Sequence, residues 1–114
     1  MNQCKQKIID AGLGAEGLAI QARMGEDPGH EYFMELTRDL KQLFDELQGD
    51  AGLDRQLAHA LFCLGHDVGS EYSSWMTISE LREDLLDDVL RLETAIESIF
   101  CNTWLSFDLL TPID

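Results

Sequence analysis

The sequence predicts an all-α fold, a single-domain bundle of about four to five helices spanning residues 1–114. Three observations lead there. Leu occurs 18 times and Val only twice, as Val68 and Val89, a balance that suits helices better than strands. Apolar residues recur at spacings of three and four rather than two. Gly-rich breaks separate the periodic runs. Hydrophobic residues make up 45% of the 114, enough for one core without disulfide staples.

The first segment, about 2–24, is anchored by Ile8, Ile9, Leu13, Leu18 and Ile20. Gly12, Gly14 and Gly17 weaken it as a helix. It reads as two short helices, or as one helix whose glycines allow close packing. A turn follows at 25–29, with Asp27 as a candidate N-cap and Pro28 at the first helical position. The next helix should reach about Gln48. Tyr32, Phe33, Leu36, Leu40, Leu43, Phe44 and Leu47 fall in an arc of roughly 120° at about 100° per residue, with Glu31, Glu35, Asp39, Asp45 and Glu46 opposite.

Residues 49–52 break the chain. Leu53, Leu57, Leu61, Leu64 and Val68 then predict a third helix ending near Gly69. Residues 70–77 place Tyr72, Trp75 and Met76 among serines and read as an aromatic-bearing loop. Thr77 and Glu80 match a capping box. It predicts a last helix to about Trp104, with Ile78, Leu81, Leu85, Val89, Leu92, Ile96 and Ile99 as its apolar stripe. The tail, 106–114, is expected to pack back on the bundle through Phe107, Leu109 and Leu110.

The charge narrows the function. Twenty-two acids against 8 bases give −14 and a pI near 4.3. Such a field repels phosphate backbones and anionic membranes and attracts basic proteins. The balance is +1 over residues 1–24, −6 over 25–66 and −9 over 67–114. Glu80, Glu83, Asp84, Asp87 and Asp88 put five acids in nine residues, with Arg82 among them. On a helix they would form an outer acidic face. Like charges at i,i+4 cost some helix stability, so a binding surface is the sharper reading and a solvated face the plainer one. Tyr72 and Trp75, just before it, are candidate contact anchors, or else core plugs.

Cys4, Cys63 and Cys101 are odd in number and widely spaced, which does not suggest a disulfide framework. Met1 to Lys7 has no apolar leader run, and no stretch approaches a membrane span. A reducing, cytoplasmic setting is the expectation.

Two patterns invite other functions. Gly12-x-Gly14-x-x-Gly17 is the dinucleotide fingerprint by letter, but the fingerprint needs a strand before it and a parallel sheet around it. Helix packing explains the glycines better. His59, Cys63 and His66 stand at i, i+4 and i+7 and could share a helical face; imidazole and thiolate suit zinc. The plainer reading is a second contact surface with Cys63 as a small buried group. No cofactor is expected. No nucleophile elbow, Glu-x-x-His or calcium loop is present, so the expectation is a binding protein rather than an enzyme.

The run Leu53 to Leu64 (LDRQLAHALFCL), followed by Trp75, resembles small acidic helical immunity proteins of bacterial polymorphic-toxin and contact-dependent inhibition systems. The resemblance implies an inhibitor that covers the active or substrate-binding surface of a cognate basic toxin, such as a nuclease. It transfers no binding residue. In this expectation Glu80, Glu83, Asp84, Asp87 and Asp88 supply the potential, and Tyr72 and Trp75 the anchors. The rival expectations are a DNA-mimic inhibitor of a nucleic-acid enzyme, a small metal-binding enzyme, and a helical adaptor or homodimer.

Overall fold

A computed structural model describes residues 3–50, 52–78 and 80–105. The chain is all-α, and no strand occurs among the described residues. Helix α1 spans Gln3–Leu13 and α2 Leu18–Arg23. Of the two readings of the N-terminal segment, the pair of helices holds. Gly14 and Gly17 make the reversal between them: Gly14 N–H donates to the Asp10 carbonyl at 2.8 Å. A Cβ on either glycine would collide with the backbone of Asp10 or Ala11. Only glycine permits so tight a return.

Helix α3 spans His30–Glu46. It buries Phe33, Leu36, Leu40 and Leu43 and half-buries Tyr32, Phe44 and Leu47, the arc its sequence predicts. Its start differs from expectation. Gly29, at φ +101, occupies the N-cap. Asp27 instead accepts the Gly29 N–H at 2.9 Å and pairs across the fold with Arg82. With Gly29 at positive φ as its N-cap, the helix begins at His30, two residues later than a start at Pro28.

Helix α4 spans Arg55–Phe62, capped by Asp54, whose Oδ2 accepts the Leu57 N–H at 3.0 Å. It passes through a π-helical turn, Cys63–Asp67, into α5, Val68–Met76. The predicted loop at 70–77 is therefore helix as far as Met76. Leu57, Leu61, Leu64, Val68 and Tyr72 all face the core, at spacings of 4, 3, 4 and 4. An ordinary helix would drift by roughly 60° over that run. The wider π turn takes up the excess and keeps the row aligned. Ser70, Ser73 and Ser74 are on the outer side. Tyr72 is fully buried, and its hydroxyl donates to the Glu26 carbonyl at 2.6 Å. Tyr72→Phe should cost about 1 kcal/mol in urea unfolding, because it orphans that carbonyl; an unchanged midpoint would contradict the bond.

Helix α6 spans Leu85–Cys101. The predicted capping box at Thr77 does not open it. Thr77 Oγ1 donates back to the Ser74 carbonyl at 2.8 Å and closes α5, and the described residues from 77 to 84 form a connection. Ile78, expected on the buried stripe, is 74% exposed. Asn102 in left-handed geometry stops α6, three residues short of expectation. Trp104 then folds onto Phe44, ring centroids 5.4 Å apart. The tail 106–114 lies outside the described residues. α3 packs on α6 and α1, α1 on α4, and α2 on α5, around one buried cluster.

Candidate functional site

The acidic stretch 80–88 is not the ridge its spacing implied. Arg82, the one base in it, turns inward. Its Nε and Nη2 donate to the two carboxylate oxygens of Asp27 at 2.8 and 3.1 Å. Its Nη1 donates to Asp84 at 2.9 Å and to Asp88 at 2.7 Å, and its Cζ lies 5.9 Å from the Phe33 ring. The other oxygen of Asp88 meets His30 Nδ1 at 2.8 Å and Arg91 Nη1 at 3.5 Å. The hydrogen bonds to Asp27 push the Arg82 guanidinium further toward its charged form, and the same bonds hold the Asp27 carboxyl below its ordinary range. A planar fork with five donors suits this shared role; an ammonium would not reach three carboxylates at once.

The predicted set therefore divides. Asp88 is 1% exposed and belongs to the interior, not to an outer face. Tyr72 is interior too, and burial raises its phenol well above the ordinary value. Neither can be a surface contact. Trp75 is half-buried. Its Nε1 donates to the Arg23 carbonyl at 3.1 Å, and its ring lies flat over Gly25, where a Cβ would sit 2.7 Å from it. Trp75 straps the α2–α3 connection while showing an edge to solvent. Glu80, Glu83, Asp84 and Asp87 remain on the surface. Asp84 is tied to Arg82, and Asp87 sits in the first turn of α6, where the helix dipole favours a carboxylate. No described base lies within ion-pair distance of Glu80, Glu83 or Asp87.

Sequence reasoning missed Asp27, His30 and Arg91 as partners in this network. A lone arginine among five acids was the available signal, since such a base must choose which carboxylates to serve.

It also missed a cleft of about 550 Å³ between α1, the 14–17 reversal and α3. Lys7, Asp10, Glu16, Tyr32, Glu35 and Asp39 line it. Burial raises the Asp39 carboxyl, with Lys7 opposing and Glu35 adding to the rise; burial also raises the Tyr32 phenol. Four acids against one base make this a cavity whose potential suits an ammonium or guanidinium group.

The His/Cys row is broken by the π turn. His59 and His66 are exposed and Cys63 is half-buried. His66 stacks on Phe62 at 5.1 Å, with ring planes 8° apart, and meets Asp67 at 3.0 Å. Burial pushes the Cys63 thiol up, and nearby Asp67 adds to it, the opposite of what a thiolate ligand needs. Among the described residues no three His, Cys, Asp or Glu side chains gather as a metal set. The glycine fingerprint lies in a helix and a reversal with no strand before it. At Gly12, a Cβ would fall 2.5 Å from the Ala60 carbonyl oxygen. Comparison with protein-family models, characterised proteins and solved structures found no match to this chain. No helix among the described residues is long and apolar enough to cross a membrane.

Proposed function

We propose that this chain is an acidic protein-binding inhibitor that neutralises a basic protein, in the manner of a cytoplasmic immunity protein covering a toxin's substrate-binding surface. One observation carries the reading. Arg82 is spent inside the fold, and Glu80, Glu83 and Asp87 lie exposed between 77 and 90 with no ion pair among the described residues. The net charge of −14 extends that potential across the molecule. A surface of this kind steers a basic partner and fixes its orientation on encounter. The half-exposed Trp75 edge and exposed Ile78 at the head of the same connection offer apolar area to desolvate. A nuclease, basic because it binds phosphate, is the kind of target this chemistry fits.

The test is kinetic. A partner captured from the source cell should be basic, and its association rate should fall about tenfold between roughly 50 and 200 mM salt. Glu83→Lys with Asp87→Lys should lower that rate about tenfold at low salt and leave the dissociation rate within about twofold. Asp84 is unsuitable for reversal because it also holds Arg82. A salt-independent association rate, or an unchanged rate in the double variant, would sink the proposal.

A further inference from the structure

Helix α6 carries more apolar surface than the bundle covers. Leu85, Val89, Leu92, Ile96 and Ile99 face the core. Beside them runs a second row, Leu86, Leu90, Glu93, Glu97 and Phe100, at spacings of 4, 3, 4 and 3. At about 100° per residue it occupies an arc of roughly 80°. Leu86 and Leu90 are each 43% exposed and Phe100 50%. This is the spacing by which one helix receives another. The row is about 21 Å long, or four turns.

The neighbouring wall deepens it. Gly65 faces Ile96, and Gly69 faces the Glu93 carboxylate and Val89, so the π turn and α5 run antiparallel to α6 and approach it closely. Phe62, the last residue of α4, is 56% exposed. His66 lies flat on it. Two carboxylates stand mid-row. Glu93 is half-buried, and neither Glu93 nor Glu97 has an ion pair among the described residues.

We infer that this groove is the docking site for an amphipathic helix of a basic partner, with Leu-like side chains against Leu86, Leu90 and Phe100 and Lys or Arg against Glu93 and Glu97. The inference rests on the proposed function and names the element of the partner that is bound. Charge complementarity selects the occupant. In a second copy of this chain, paired parallel or antiparallel about the centre of the row, Glu93 would meet Glu93. Like charges so placed, on molecules of −14 each, oppose the pairing. A basic helix turns the same two acids into contacts and leaves its apolar face in the groove.

The test uses the full chain and two fluorescein-labelled peptides of 14 residues and equal charge, one an amphipathic Leu/Lys helix and the other Ser/Lys, with binding read by anisotropy at low salt. The Leu/Lys peptide should bind about tenfold more tightly or better. Leu86→Asp with Leu90→Asp should weaken it about tenfold, although two added negative charges favour a cationic peptide. Met24→Asp with Leu13→Asp, which adds the same charge at exposed positions elsewhere, should not weaken it. Circular dichroism checks that each variant folds. Equal binding of the two peptides would overturn the groove and leave the acidic-binder reading standing. Failure of both to bind would overturn the two together. Self-association in light scattering that Leu86→Asp with Leu90→Asp abolishes would give the groove to a second copy and overturn the inference.

Discussion

Arg82→Ala should destabilise the fold by about 3 kcal/mol, the lower end of the cost of stranding a buried charge. The estimate sits at that end because Asp88 keeps His30 and Arg91 nearby. The loss comes from the carboxylates left behind. Asp88 is 1% exposed and cannot recover its hydration without opening the start of α6, and Asp27 loses both of its guanidinium bonds. Urea unfolding of Arg82→Ala, Asp88→Ala and the double variant forms a cycle. The double variant should be more stable than Arg82→Ala, since it removes the stranded charge along with its partner. Strict additivity would mean that Arg82 and Asp88 do not act together.

The same network sets an acid limit. The Asp27 carboxyl is held low, chiefly by its hydrogen bonds from Arg82. A group depressed in the folded state contributes stability above its unfolded value and loses it as pH falls through the folded one. Wild-type stability should therefore decline from about pH 4 downward, and in Arg82→Ala the Asp27 share of that decline should vanish. Parallel acid-unfolding curves for the two proteins would show that the pairing carries no linkage.

What was legible in the sequence was whatever a local window could hold. Helix α3 could be read because Phe33, Leu36, Leu40 and Leu43 repeat on one face with acids opposite. The π turn could not, since it exists to align Leu57 and Tyr72, residues four turns apart. Tyr72 was hidden among serines that only look loop-like: on α5 they face water while the tyrosine faces in. The Thr77–Glu80 pattern was right by letter and wrong in the fold. Thr77 Oγ1 closes the helix before it, and Arg82 ties the approach to α6 to Asp27, 55 positions away. No spacing rule reports such a partner. The candidate surface was half legible for the same reason. Glu80, Glu83 and Asp87 follow from composition, but that Asp88 and Tyr72 leave the surface follows only from who pairs with them.

Gly12→Ala should reverse the usual sign of a helical glycine substitution. In an open helix, alanine gains about 1 kcal/mol over glycine. Here the added methyl would lie 2.5 Å from the Ala60 carbonyl oxygen, 2.9 Å from its Cα and 3.0 Å from its carbonyl carbon. All three are backbone atoms, so no side chain can swing away; α1 and α4 must separate, and Ala60 is fully buried between them. Overpacking of this kind costs about 2 to 3 kcal/mol. Gly65→Ala is the comparison, because its nearest neighbour is a side-chain methyl, Ile96 Cγ2 at 3.3 Å, rather than backbone; it should cost less than Gly12→Ala. The contrast also decides between the two explanations of the glycine fingerprint. If Gly12 served a nucleotide, alanine would spare stability and impair a ligand. If Gly12 serves the α1–α4 crossing, urea unfolding loses stability with no ligand present. A neutral or stabilising Gly12→Ala would refute the crossing, and with it the placement of α1 that forms one wall of the acidic cleft.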